Sequence, residues 1–167
     1  MEPTGLLVIL LCLWLLLALK AGFIGMSLLI QHAMPDFIER ASEHYRKKPR
    51  WRVNLLGIAN GVGVPFISLL LVNMGILALP GILLLLGYLW MAFLAYTVVY
   101  HEFGSKLFEE SAERSEFKAT LYGGLVAEAA FLAPVFGQLY SIALFARSLG
   151  AVTMVILGDV VSPRSSS

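Results

Sequence analysis

Apolar residues run almost without a break over 5–30, 53–74, 80–101 and 119–158, and polar residues gather in the intervals 32–52 and 102–118. About 20 apolar residues in helical form cross the ~30 Å hydrocarbon layer of a bilayer, where only helices and closed barrels satisfy their own backbone. The pattern predicts an all-α integral membrane protein with about four transmembrane helices or hairpin arms. Residues 5–30 form the first span. Residues 53–74 and 80–101 form the second and third, each 22 residues and about 33 Å long as a helix. The link 75–79 is short and carries no charge, which folds these two into a tight antiparallel hairpin. The apolar runs leave no room for a separate soluble domain, so 1–167 reads as a single polytopic membrane domain.

The polar intervals have periods of their own. In the first, Met34, Phe37, Ile38, Ala41 and Tyr45 recur at three and four residues, and Asp36–Arg40 and Glu43–Lys47 are opposite charges at i,i+4. This predicts an amphipathic helix over 34–48, opened by Pro35 in its first turn and stopped by Pro49. The second interval holds five glutamates and three basic residues, with Glu102–Lys106 and Glu110–Arg114 again at helical spacing. It reads as a solvated helical connector.

The last apolar stretch is too long for one crossing. From Thr120 to Gly158 its 39 residues would make a helix of about 58 Å. Pro134 and Gly137 mark its corner, because proline lacks an N–H and biases the preceding residue away from helix. The prediction is a broken helical hairpin over 119–158 whose first arm, at about 22 Å, is either re-entrant or reaches the far interface only with its corner. Glu128 and Arg147 fall on opposite arms. A lone charge at mid-membrane costs about 2.5–3.5 kcal/mol or more, so the two are expected to pair across the hairpin.

Small residues supply a second kind of signal. Gly57 and Gly61 stand four apart in the second span, as do Ala59 and Gly63, and such a face lets another helix approach closely. Asn60 on the same stretch is placed to hydrogen-bond across that contact. Lys20 interrupts the first span; such a lysine either snorkels along its stem to an interface or faces the protein interior, and snorkelling is the expectation. Cys12, the single cysteine, excludes an internal disulfide and falls short of a thiolate metal site. His32, His44 and His101 show no ligand spacing, and there is no nucleophile-and-base pattern. No metal, cofactor or enzymatic activity is expected.

Composition agrees with this placement: the chain is 59% hydrophobic and 14% charged, with a net charge of +1. The charges are unevenly distributed. Of 12 Lys and Arg, six lie in 32–52 and three in 102–118, whereas 75–79 has none. Basic loops stay on the cytoplasmic side, so the N-terminus is expected outside and the C-terminus, with Arg164, in the cytoplasm. Arg46, Lys47, Lys48, Arg50 and Arg52, with Trp51 among them, meet the membrane edge as a topology and anionic-lipid signal rather than a nucleic-acid surface.

Several landmarks resemble a known arrangement. These are Pro65, Leu79–Pro80, the run Leu86–Gly87–Tyr88–Leu89–Trp90, Gly104, the run Leu132–Ala133–Pro134–Val135–Phe136–Gly137 and the run Ser148–Leu149–Gly150–Ala151. Residues 54–158 resemble the C-terminal multi-helix membrane domain that bacterial bactofilin-like, polymer-forming proteins carry behind a β domain. The resemblance implies a membrane anchor or assembly platform in a bacterial cytoplasmic membrane, although this chain has no such β domain. The expected function is a structural or accessory membrane subunit whose partners are the bilayer and other membrane helices or copies of itself. The alternative is a small transporter or channel that uses Glu128 in the membrane.

Overall fold

In the computed structural model, which describes residues 3–108, 115–133 and 135–161, the chain forms six α-helices. They are α1 (Pro3–Ala33), α2 (Pro35–Lys47), α3 (Arg50–Asn73), α4 (Ala78–Leu107), α5 (Glu116–Phe131) and α6 (Phe136–Val161). Pro134, the Glu110–Arg114 pair and Arg164 lie outside the described residues. Among the described residues there is no strand. Helices α1, α3, α4 and α6 are each long and apolar enough to cross a bilayer. The protein is an all-α integral membrane protein.

The breaks fall where the backbone demands them. Pro35 and Pro49 bound α2, the first in its opening turn and the second just before α3. Gly75, at φ 64°, turns the α3–α4 hairpin in a left-handed conformation that costs a residue without Cβ nothing. That hairpin is as tight as predicted. A Cβ added to Gly81 would meet the Val72 nitrogen at 2.8 Å and the Ser68 oxygen at 2.9 Å.

Helix α2 buries Phe37, Ile38, Ala41, Ser42 and Tyr45, so its apolar stripe meets the rest of the protein and fills the space beside α4 and α6. Around it Val53, Ala95, Val98, Leu149, Ala151 and Val152 have no accessible surface. A smaller cluster of Ile24, Val99, Tyr100, Ala127 and Phe131 joins α1, α4 and α5. Rings of Phe23, Tyr96 and Phe145 stack between α1, α4 and α6 at centroid distances of 5.0–5.3 Å.

Two expectations are corrected here. The segment 102–118 is not wholly a connector, because α4 continues to Leu107 and takes Glu102 into the interior. The 119–158 hairpin is not a pair of mutually packed arms: α5 lies chiefly on α4 and also on α1, while α6 lies on α3, α4 and α2. Glycines direct this choice. Gly123 of α5 and Gly104 of α4 bring those two backbones into contact, and Gly150 of α6 and Gly57 of α3 do the same for the other pair. The corner lies between Leu132 and Phe136, with Val135 at φ 64° and Gly137 packed so closely that a Cβ would meet the Ala130 oxygen at 2.4 Å.

Candidate functional site: two buried glutamates

Glu128 sits on the face of α5 that packs against α1 and α4, and is 8% exposed. Its carboxylate forms an ion pair with Lys20 of α1 and accepts a hydrogen bond from the Tyr100 hydroxyl of α4. Three helices are thereby tied at one charged group. Each member has a reason to be there: an unpaired carboxylate would be costly among apolar residues, a lysine bears the opposite charge on a flexible stem, and a phenol places a donor at the end of a large apolar body. The expected Glu128–Arg147 pair does not form. Because α5 packs chiefly on α4 and α1 while α6 packs chiefly on α3 and also covers α2, Arg147 is carried away to α2. The expectation that Lys20 snorkels is likewise replaced by the ion pair.

Arg147 donates from Nη2 to the Tyr45 carbonyl oxygen, and its guanidinium lies 4.2 Å from the centroid of the Tyr45 ring. Its Nε is buried without a hydrogen-bond partner. Burial raises the Tyr45 phenol above its ordinary range, and the Arg147 charge opposes that shift.

Glu102, near the C-terminal end of α4, is the second buried carboxylate, at 3% exposure. It accepts a hydrogen bond from the Ser42 hydroxyl and meets Arg46 Nε at 3.2 Å. Both partners come from α2, one turn apart, so this group fastens the amphipathic helix to the bundle. Sequence reasoning placed Glu102 in a solvated loop. A signal was present: Leu94, Ala95, Val98, Glu102 and Ser105 continue one helical face at three- and four-residue intervals past the end of the apolar run.

Of the predicted packing residues, Gly57 makes the closest approach. A Cβ there would lie 1.6 Å from the Ala146 oxygen of α6. Asn60 does hydrogen-bond across this contact, from Nδ2 to Thr153 Oγ1 at 2.7 Å. A Cβ on Gly61 would lie 3.5 Å from Leu149 Cδ2, ordinary van der Waals contact. Gly63 meets no helix of its own chain: nothing lies within 4 Å of a Cβ there. The basic cluster also divides. Arg46 serves Glu102, Lys47 pairs with Glu43 on its own helix at 3.2 Å, Arg52 lies 5.1 Å over the Trp51 ring, and Lys48 and Arg50 are exposed.

Among the described residues no group of three or more His, Cys, Asp and Glu is placed to hold a metal ion. Chemically the arrangement offers buried carboxylates that are already partnered. Compared with known proteins, the chain matches no family model, no curated protein and no solved structure. The resemblance to bactofilin-associated membrane domains therefore gains no support.

Proposed function

We propose that this chain is a structural or accessory membrane subunit that assembles with other membrane helices, in a larger complex or with copies of itself. One observation carries the reading. Every residue from Leu10 to Leu19 is exposed on all sides of α1, with Leu11, Trp14 and Leu15 at 72–73%. A helix that is apolar all round belongs in lipid or against another helix, and these turns find little cover within their own chain. The polar groups favour the same reading. Glu128 is closed by Lys20 and Tyr100 from two other helices, an arrangement that holds a fold together.

Native mass spectrometry after mild solubilisation tests the proposal. Specific protein partners or a defined homo-oligomer are expected, and Leu11→Asn with Leu15→Asn should release them while leaving the bundle folded. A strictly monomeric protein that moves a solute in liposomes, with flux abolished by Glu128→Gln, would replace the reading with a transporter. The same proposal places the basic side in the cytoplasm and the N-terminus outside. In a Cys12→Ser background, an impermeant thiol reagent outside intact cells should label Ile76→Cys, which is 95% exposed on the α3–α4 turn, and not Lys48→Cys. The reverse pattern would invert the topology.

A further inference from the structure

Arg147 of α6 is partly buried, and its own chain answers its charge only in part. Nη2 donates to the Tyr45 carbonyl oxygen, whose ordinary partner in a helix would be residue 49, a proline with no N–H, so the arginine caps the end of α2. Such a helix end offsets about half an elementary charge. The Tyr45 ring covers one face of the guanidinium at 4.2 Å. Glu102 is the carboxylate whose charge reaches the Tyr45 phenol, but Arg46 and Ser42 already hold it, and among the described residues Arg147 forms no ion pair. A guanidinium does not lose its proton, and an unanswered charge is costly in a chain that spans a bilayer. We infer that Arg147, with Tyr45, Tyr140 and Arg50, forms a binding site for a phosphate group.

The donors left over gather at the Tyr45 hydroxyl. Nε of Arg147 is enclosed and Nη2 is taken, so Nη1 is the nitrogen that is neither sealed nor hydrogen-bonded, and the Tyr45 hydroxyl is in the same state. Arg147, Arg50 and Tyr140 all act electrostatically on that hydroxyl. Tyr140, 52% exposed, stands two turns before Arg147 on the same face of α6, and Arg50 is the exposed first residue of α3. Two guanidinium groups match the oxygens of a phosphate in geometry and charge, and two phenols donate to the oxygens that remain. The site lies at headgroup level: Trp51 follows Arg50, and Arg52 lies 5.1 Å over its ring. The phosphate at hand there is that of a phospholipid. Two arginines favour an anionic one, since phosphatidylcholine carries the same phosphodiester but answers its charge with its own trimethylammonium. A soluble phosphate ester offers the same oxygens, and the test separates the two sources.

The full-length protein is placed in phosphatidylcholine nanodiscs, and its thermal unfolding is followed as phosphatidylglycerol replaces part of the lipid or as glycerol phosphate is added to the buffer. A rise in unfolding temperature is expected, because a ligand that binds only the folded state stabilises it. A response to the lipid alone assigns the headgroup, a response to glycerol phosphate alone assigns a soluble ester, and a response to both assigns the phosphate whatever carries it. Arg147→Gln should weaken the response about tenfold or more in ligand concentration, since hydrogen bonds to charged groups are the stronger class, and Arg50→Gln should weaken it as well. Lys48→Gln removes another exposed cation of the same basic run from outside this group and should leave the response unchanged. Where Arg147→Gln does not fold, Arg50→Gln against Lys48→Gln decides. No response to either phosphate compound, an unchanged response in a folded Arg147→Gln protein, or equal losses from Arg50→Gln and Lys48→Gln would overturn the assignment, the last by showing a diffuse attraction to the basic edge.

Discussion

At the α3–α6 crossing a Cβ on Gly57 would lie 1.6 Å from the carbonyl oxygen of Ala146, and at the α4–α5 crossing one on Gly104 would lie 1.7 Å from that of Ala119. The contacts are reciprocal. A Cβ on Gly150 would lie 1.9 Å from the Val53 oxygen, and one on Gly123 the same distance from the Tyr100 oxygen. Both pairs use glycine to bring backbones together, which gains dispersion contacts where lipid offers no hydrophobic drive between helices. They differ in the polar group added. The α3–α6 pair has a neutral bond between Asn60 and Thr153, whereas α4–α5 has the Glu128 carboxylate, its Tyr100 donor and a lysine from a third helix. A neutral bond joins two helices and tolerates its own loss. A buried charge requires its partner, so the α4–α5 half also dictates where α1 must lie.

The largest effect should follow from separating that charge from its partner. Lys20→Met is expected to destabilise by about 2–3 kcal/mol, below the ~3–5 kcal/mol of a fully enclosed pair because the lysine side chain is 32% exposed. Adding Glu128→Gln to Lys20→Met should recover most of the loss, since the amide can still accept from Tyr100 and no charge is left alone. Denaturant unfolding of the four proteins in one detergent measures the cycle. Strict additivity would show that the pair does not hold α1 in place.

Next come the glycines. Gly123→Leu and Gly57→Leu each force two backbones apart, because the atoms in the way are carbonyls and not the ends of flexible side chains. Each should cost about 1–3 kcal/mol, the usual range for overpacking. Gly123→Leu should also weaken protection of α1 in hydrogen exchange, since α5 carries the carboxylate that Lys20 meets. Gly57→Leu should leave α1 unchanged. Equal effects on α1 would erase the distinction between the halves.

The two halves were unequally legible in the sequence. The four candidate spans and α2 follow from period and length, and Gly57 is visible because Gly61 lies one turn later in a run without charged residues. Gly104 has no such frame. It lies among His101, Glu102, Ser105 and Lys106, and charge density there outweighed a helical face continuing from Leu94 through Ser105. The pairing of Glu128 was misread for a related reason: sequence proximity favoured Arg147, 19 positions away, over Lys20, 108 positions away. Only the packing of α5 on α1 and α4 decides between them, and glycines at both crossings set that packing.

Asn60→Leu should have a smaller effect, about 1 kcal/mol, in keeping with interhelical hydrogen bonds measured in membrane proteins. Thr153 keeps its own bond to the Leu149 carbonyl at 2.7 Å, so no buried donor is orphaned when the asparagine is lost. A loss above about 3 kcal/mol would mean that the neutral bond carries as much as the charged one.

The smallest effect is expected at Gly63, two residues beyond the packed Gly61 on the same helix. Nothing lies within 4 Å of a Cβ at this position, and the residue is partly exposed. Leucine there should meet lipid, and replacing a mid-helix glycine removes backbone freedom from the unfolded chain, which favours folding by about 0.5–1 kcal/mol. Gly63→Leu is therefore expected to be neutral or slightly stabilising in the isolated protein. The same substitution becomes informative in the native membrane. If a partner helix occupies the outer face of α3, Gly63→Leu should lower recovery of that partner without lowering the unfolding temperature, whereas Gly57→Leu should lower both. A fall in the unfolding temperature for Gly63→Leu alone would place a packed neighbour inside the chain where the fold puts open space.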